Sequence, residues 1–308
     1  MHPFRFGISA SRASSGEEWL ALARRAEALG YDSFLMPDHL GRQLSPLGAL
    51  AAAAAVTSRI RVGTFVHAND YRHPLMLARE AATLDLLSGG RLELGIGAGW
   101  HVPDYRQLGM QYDRPGIRID RMLESLRILK RLLAGERVTH RGTYYTLDGA
   151  RVAPSPVQGR IPMVIGGGGR RMLGIAAREA DVVGLLPQFN ERGRPIFTQA
   201  SEAETERKVG IVREAAGSRE AFERLELNVL VADGGVIGGR TPATSALAAV
   251  KSLGPLAIGG SPYLLYGTLG QIRERLLRRR ERLGISYYVL HVPLMEPMAP
   301  VIEALAGS

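Results

Sequence analysis

Short apolar segments alternate with longer amphipathic stretches along almost the whole chain, and this alternation constrains the fold more than any other feature. Aliphatic and β-branched residues dominate the short segments, which is typical of strands buried in a parallel sheet. The eight predicted strands are Phe4–Ile8, Ser33–Met36, Arg61–Val66, Leu92–Gly97, Met163–Gly166, Val182–Leu185, Glu226–Val231 and Tyr287–His291. The helices predicted between and after them are Glu17–Leu29, Pro46–Thr57, Pro74–Leu87, Ile117–Ala134, Arg170–Ala180, Glu202–Ala216, Gly270–Leu283 and Ala299–Ala306.

Eight strands, each followed by a helix, predict an α/β protein of the (β/α)8 TIM-barrel class. A length of 308 residues suits a single barrel domain over residues 1–308. A doubly wound sheet would need fewer strands and an early dinucleotide fingerprint, which the sequence lacks. The segment 136–161, ERVTHRGTYYTLDGARVAPSPVQGRI, breaks the alternation and predicts an insertion of hairpin and extended chain between helix 4 and strand 5. The glycine-rich segment Ala232–Arg240 is predicted to be a mobile loop.

Composition narrows the classes of function. The chain has no cysteine, no HExxH motif and no compact His/carboxylate triad at ligand spacing, so we predict no metal site. The net charge of +9 comes from arginines scattered over amphipathic helices, which predicts no nucleic-acid partner. No apolar run reaches the length of a membrane span and no signal peptide is evident, so no membrane association and a cytoplasmic location are expected.

Barrel enzymes place their chemistry at the carboxyl ends of the strands. There the sequence has Asp38-His39 after strand two, and His39 is the candidate catalytic residue because an imidazole can donate or accept a proton near neutral pH. His67 and Asn69 after strand three, and Trp100 and His101 after strand four, are candidates for the substrate pocket.

Two glycine-rich strand ends predict binding surfaces. Gly95, Gly97 and Gly99 alternate along strand four, and bare backbone there would let a flat ring lie against the chain, with Trp100 as a wall. Gly167, Gly168 and Gly169 after strand five, followed by Arg170 at a helix start, predict a phosphate site made of backbone N–H groups and the helix dipole.

Residues 73–100, HPLMLAREAATLDLLSGGRLELGIGAGW, resemble the hallmark of the bacterial luciferase-like monooxygenase superfamily, a run of the form TLD…S.GR…LG.G.GW. AEALGYDSF at 26–34, Pro37-Asp38-His39, Arg121–Leu133 and VIGGGG at 164–169 support it. The resemblance covers residues 4–190 well and the rest thinly. Within the superfamily the chain is most similar to the branch that uses the deazaflavin coenzyme F420.

The resemblance implies the same barrel and a set of cofactor contacts. Asp38 would contact the ring system, and Thr64, Phe65 and Val66 would form a strand-three bulge, commonly with a non-prolyl cis peptide, that supports it. Ala98 and Gly99 would approach the cofactor, while Gly167, Gly168, Gly169 and Arg170 would bind its phosphate. His39 matches a histidine near the hydride-transferring face. The sugar-phosphate dehydrogenase branch has a glutamate where this chain has Trp100, so that reaction is not expected.

The resulting prediction is an F420-dependent oxidoreductase that transfers a hydride to or from a small organic substrate, supplied with reduced coenzyme by a reductase. An FMN-dependent luciferase-like monooxygenase using reduced flavin and O₂ is the alternative. A noncatalytic cofactor-binding or partner subunit is a third reading. A homodimer is compatible with each, and neither substrate identity nor the direction of hydride transfer can be read from the sequence.

Overall fold

The computed structural model describes residues 1–188, 196–236 and 260–308, without the side chains of residues 197 and 198. Its strands are β1 Arg5–Ser9, β2 Ser33–Met36, β3 Arg61–Thr64, β4 His67–Ala68, β5 Leu92–Gly97, β6 Val138–Arg141, β7 Thr146–Ala150, β8 Met163–Gly167, β9 Val182–Leu185, β10 Glu226–Val231, β11 Asp233–Val236, β12 Leu264–Gly267 and β13 Ile285–His291. Its α-helices are α1 Gly16–Ala28, α2 Pro46–Ala55, α3 Pro74–Leu87, α4 Val102–Gln107, α5 Pro115–Leu133, α6 Arg170–Glu179, α7 Glu202–Ala216, α8 Arg219–Glu223, α9 Leu269–Leu283 and α10 Ala299–Leu305.

All eight predicted strands are present, the third as β3, with the unpredicted β4 beyond its expected end at Val66. All eight predicted helices are present within two residues at each end. The chain therefore has the (β/α)8 barrel fold, with the insertion between α5 and β8. Its contacts group into a first unit of Met1–Ala10, Arg25–Phe34 and Gly166–Ser308 and a second unit of Ser11–Arg24 and Leu35–Ile165. That residues 1–308 behave as one domain stays a prediction.

In the first unit, β1, β13, β10 and β9 form a parallel sheet in that order. Arg5 lies opposite Tyr287 and Ser9 opposite His291, so β1 and β13 are in continuous register. Nearly every position of these strands is buried, as expected of a parallel sheet covered by helices, and β13 is buried from Ile285 to Leu290.

In the second unit, β3 and β4 both pair with β5, and β5 pairs with β8. Gly63 lies opposite Glu93 and His67 opposite Ile96. Four residue steps on one strand therefore match three on the other, which defines a β-bulge at residues 64–66.

The motif at residues 73–100 joins α3 to β5 through a turn fixed by polar side chains. Gly89 and Gly90 both have positive φ, which glycine adopts without steric cost. The Arg91 guanidinium donates to the carbonyl oxygens of Ala54, Thr57 and Ile60 around the end of α2, at 2.8–3.1 Å. This arginine therefore ties the α3–β5 turn to the carboxyl end of α2.

Asp85 of the same motif is buried and holds the end of the insertion. Its Oδ2 accepts the N–H groups of Val157 at 2.8 Å and Gln158 at 3.2 Å, and its Oδ1 accepts Gln158 Nε2 at 2.5 Å. The carboxylate thus fixes the chain shortly before β8.

The insertion is the antiparallel hairpin β6–β7 followed by extended chain, as predicted. Glu124 on α5 holds its turn, since its carboxylate accepts the backbone N–H groups of Thr143, Tyr144 and Tyr145 and lies 3.1 Å from His140 Nε2.

The prediction for Ala232–Arg240 is corrected in part. Asp233–Val236 is β11, which pairs in parallel with β12, so hydrogen bonds fix this part of the expected loop. The remaining residues, 237–240, lie outside the described part of the chain. Two short helices, α4 and α8, were not predicted, because five or six residues are too few to show a helical period.

Across residues 1–188, 196–236 and 260–308, no helix combines the length and apolar character that crossing a bilayer requires.

Candidate active site

Asp38, two residues after the end of β2, is buried in the second unit at the centre of a hydrogen-bonded cluster. Its Oδ2 accepts His67 Nδ1 at 3.1 Å, the Ala68 N–H at 3.2 Å and Arg72 Nη1 at 2.5 Å. Burial alone would raise the pKa of Asp38, but the hydrogen bond and charge of His67, together with the Arg72 guanidinium, lower it to about 2. Asp38 is therefore ionised at neutral pH and oriented by protein donors. Its direct contact with a cofactor stays a prediction.

His67 and Asn69, at the end of β4, are each only 1% exposed and present polar atoms that lack a hydrogen-bond partner among the described residues. His67 Nδ1 faces Asp38, so its Nε2 is the unpartnered atom. Asn69 Nδ2 donates to Tyr145 Oη at 3.1 Å and to Asp70 Oδ1 at 3.3 Å, which leaves its Oδ1 unpartnered. Because buried polar atoms are normally paired, these two mark a surface suited to a polar ligand.

The bulge residues carry the cis peptide that the resemblance implies, between Phe65 and Val66. Thr64 Oγ1 donates to Gly95 O at 2.9 Å and accepts the Gly95 N–H at 3.2 Å, so Thr64 is used within the sheet. A Cβ on Gly95 would lie 1.9 Å from Thr64 O, and one on Gly97 would lie 2.8 Å from Val66 Cγ2.

The space in front of these two glycines is thus filled by the bulge. The expectation that Gly95 and Gly97 offer bare backbone to a flat ring is wrong for the face toward which their Cβ atoms would point. On that face both positions must be glycine because the neighbouring strand packs against them.

Ala98 and Gly99 follow β5. Gly99 has a φ of +75°, a conformation that glycine adopts easily and other residues rarely do. Arg118 Nη1 donates to both carbonyl oxygens, and the Tyr105 hydroxyl lies where a Gly99 Cβ would be. These side chains fix the backbone on which the predicted cofactor contact of Ala98 and Gly99 depends.

His39 is partly exposed, and its ring is held on one side by a buried carboxylate. Its Nδ1 lies 2.7 Å from Asp104 Oδ2, on α4. Burial alone would raise the pKa of Asp104, but contacts with His39 and His101 and the Leu40 N–H outweigh it and lower the pKa. The candidate catalytic imidazole therefore faces an anion through Nδ1.

Trp100 and His101 surround the same imidazole. The ring centroids of Trp100 and His101 lie 5.3 Å and 4.9 Å from that of His39, both in edge-to-face orientation. His101 Nδ1 lies 3.0 Å from Asp104 Oδ1. The structure thus brings the predicted catalytic residue and two predicted pocket residues together.

The sequence prediction missed Asp104, and with it a cluster that sequence spacing hides. One ligand atom from each of His39, His101 and Asp104 lies within 4.8 Å of the others. The statement that no compact His/carboxylate triad exists is therefore corrected, because the turn into α4 folds residues 101 and 104 against residue 39. His39 Nδ1 is hydrogen-bonded to Asp104 Oδ2, whereas His101 Nδ1 lies 3.0 Å from Asp104 Oδ1 without hydrogen-bond geometry.

The glycine run after β8 belongs to the first unit. Cβ atoms would lie 2.6 Å from Met172 Cβ at Gly167 and 2.4 Å from Leu186 O at Gly168, so close packing excludes side chains there. None of residues 166–169 has the left-handed φ of an alternating nest. Gly169 is the N-cap residue of α6, and no side chain accepts the first N–H groups of this helix. The predicted phosphate site therefore depends on those N–H groups. Arg170 pairs with Glu214 at the surface, at 2.9 Å.

Residues 1–209 match the family model described as luciferase-like monooxygenase. The chain belongs to this family. An F420-dependent glucose-6-phosphate dehydrogenase of Microbacterium testaceum is 36% identical over 188 residues, which cover 58% of this chain and 55% of that protein. The aligned segment thus spans about half the length of that curated relative.

Solved structures of two chemical classes share the fold. The coenzyme F420-dependent tetrahydromethanopterin reductase of Methanopyrus kandleri superposes with a TM-score of 0.75 at 19% identity, covering 98% of both chains. The EDTA monooxygenase of Chelativorans sp. BNC1 superposes with a TM-score of 0.78 at 15% identity, covering 98% of this chain and 94% of that one. At these identities the likeness establishes the barrel, and the residues of the site must distinguish the reactions.

Proposed function

We propose that this protein is an F420-dependent oxidoreductase that moves a hydride between the deazaflavin coenzyme and a small organic substrate. The observation that carries the proposal is His39, an imidazole with Nδ1 held by buried Asp104 and a partly exposed ring beside Trp100. The F420-dependent relative, 36% identical over 188 residues, supports the choice of coenzyme.

The residues of the second unit fit a flavin-like ring. Such a ring presents N–H and C=O groups along its pyrimidine edge, and the unpartnered buried atoms of His67 and Asn69 can pair with them. We assign these two residues to the cofactor, with Val66 packing beneath the site. This assignment differs from the expectation that both belong to the substrate pocket.

When bound, coenzyme F420 supplies a ring carbon that accepts or donates a hydride. Nε2 of His39 accepts or donates the proton that accompanies the hydride. It takes the hydroxyl proton when an alcohol carbon loses hydride, and it returns a proton when a C=O, C=N or C=C bond gains hydride. Trp100 and the insertion hairpin border the substrate, and Trp100 in place of a carboxylate argues against sugar phosphates. A separate reductase in the cytoplasm would recycle the coenzyme.

The second candidate is an FMN-dependent monooxygenase using reduced flavin and O₂, favoured by the fold shared with the EDTA monooxygenase. Titration of the purified protein with F420 and with FMN, followed by cofactor fluorescence, separates the two. Binding of F420 without FMN is expected, and the reverse result refutes the first proposal. Binding of neither would favour a noncatalytic partner subunit.

A second measurement tests the role of His39. His39→Ala should slow F420 turnover by about 10²-fold or more, the usual contribution of general acid–base catalysis, with little change in F420 affinity. His2→Ala removes an imidazole at the chain terminus and should leave both unchanged. Equal losses of affinity and turnover in His39→Ala would assign His39 to structure instead.

A further inference from the structure

The Asp104 carboxylate is fully buried, and each of its oxygens accepts at least one hydrogen bond. Oδ2 accepts His39 Nδ1 at 2.7 Å and Tyr71 Oη at 3.3 Å. Oδ1 accepts the Leu40 N–H at 3.2 Å and lies 3.0 Å from His101 Nδ1. The Leu40 N–H, from the residue next to His39, anchors the carboxylate to the same loop whose imidazole it holds.

The direction of these hydrogen bonds follows from the charges. Asp104 has a lowered pKa and is an anion at neutral pH, so it can only accept. Burial and the nearby Asp104 charge raise the pKa of Tyr71, which therefore stays a neutral donor. Nδ1 of His39 must then carry a proton, and in the neutral imidazole this leaves the lone pair on Nε2.

We propose that Asp104 is the positioning residue of this site: it selects the Nδ1–H form of His39, orients the ring and stabilises the imidazolium when Nε2 takes up a proton. The proposal rests on the proposed function for its kinetic consequence, but the hydrogen-bond direction stands independently of it. A carboxylate that holds an imidazole in one tautomer in this way is a recurring device of proton-transfer sites.

The other titratable groups around His39 leave this role to Asp104. His101 and Tyr71 approach the same carboxylate, and Asp38, next to His39 in the chain, is occupied by His67 and Arg72. Asp104 is thus the anion in contact with His39 among the described residues.

Asp104→Asn tests the proposal, with Asp113→Asn as the matched control. Asp113 lies in the same unit and pairs with Arg121 instead of an imidazole, so the same chemical change is made away from His39. In Asp104→Asn, kcat should fall by about 10²-fold relative to the wild type, while KM for the organic substrate and the affinity for F420 stay within about twofold of the wild-type values. Asp104→Glu, which keeps the charge, should restore part of kcat.

Long-range ¹H–¹⁵N spectra of the His39 imidazole, assigned by comparison with His39→Ala, give a readout that needs no substrate. The wild type should show the Nδ1–H tautomer, and Asp104→Asn should shift the population toward Nε2–H. An Nε2–H tautomer in the wild type overturns the proposal even if the variant fails to fold, as does an unchanged tautomer population in folded Asp104→Asn. Absence of F420 binding in a wild type that shows the expected tautomer would refute the proposed function and leave the positioning role standing.

Discussion

Placing alanine at Gly95 tests the packing between β5 and the bulge most directly. The added Cβ would lie 1.9 Å from Thr64 O, 2.9 Å from Thr64 C and 3.0 Å from Val66 Cγ1. Two of these three atoms are backbone, so the strands must move apart by about 1 Å, and overpacking of this kind costs about 1–3 kcal/mol. The two hydrogen bonds between Thr64 Oγ1 and Gly95 would weaken, at about 1 kcal/mol each.

The expected loss for Gly95→Ala is therefore about 3–5 kcal/mol. Gly97→Ala meets only the side chain of Val66, at 2.8 Å, and should cost about 1–2 kcal/mol. Gly48→Ala is the matched control, since Gly48 lies exposed in α2 with nothing within 4 Å of the added Cβ. Alanine favours a helix over glycine, so this variant should gain about 0.5–1 kcal/mol.

Thermal unfolding and urea titration measure the series. For a chain of this size about 1 kcal/mol corresponds to about 2 °C in Tm, so Gly95→Ala should melt about 6–10 °C lower than the wild type. Gly48→Ala should melt slightly higher. A Gly95→Ala protein within about 1 kcal/mol of the wild type would refute the explanation of the glycine ladder by packing.

Three further predictions concern single contacts. The pKa of Asp38 in the folded protein is about 2, against an ordinary value of 3.8, so ionised Asp38 contributes about 2 kcal/mol to the free energy of unfolding. This contribution is present above pH 4 and is lost as the pH falls toward 2, so the difference in urea midpoint between the wild type and Asp38→Asn should be large at pH 7 and smaller at about pH 3. Thr268→Ala removes the capping box of α9 and should lower stability by about 1 kcal/mol, whereas Ser45→Ala, at an N-cap without a side-chain hydrogen bond, should change it by less than about half as much in the same melts. Glu124→Ala releases the turn of the insertion hairpin and should speed tryptic cleavage after Arg141. Glu136→Ala loses only an exposed ion pair with Arg131 and should not change the cleavage rate, and equal rates in the two variants would show that the hairpin does not depend on Glu124.

The sequence predicts the strands well because each is a short apolar run between helices whose period is plain. It predicts the third strand poorly, since Arg61–Val66 reads as one continuous segment while the bulge depends on its partner, β5. Only the family resemblance indicated an irregularity at Phe65 and Val66.

The strand-end rule named Asp38, His39, His67, Asn69, Trp100 and His101, and the second unit holds all six. It could not name Asp104, because α4 is a six-residue helix without an apolar stripe and its carboxylate meets His39 only through tertiary packing. Arg72 and Tyr145 were also missed, because they meet Asp38 and Asn69 only through tertiary packing. Arg72 comes from the chain before α3, and Tyr145 from the turn of the insertion hairpin.

Two polar residues of the motif at residues 73–100, Asp85 and Arg91, bind backbone groups of neighbouring elements. Arg91 secures α2, Asp85 secures the insertion, and Gly95 and Gly97 admit the bulge. A sequence search that relies on this motif will therefore find proteins that share the barrel fold, and these will include both hydride-transfer enzymes and oxygenases. Sorting such proteins by reaction calls for the residues at the site, which are Trp100 at the end of the motif and, outside it, His39 and Asp104, the pair to compare first.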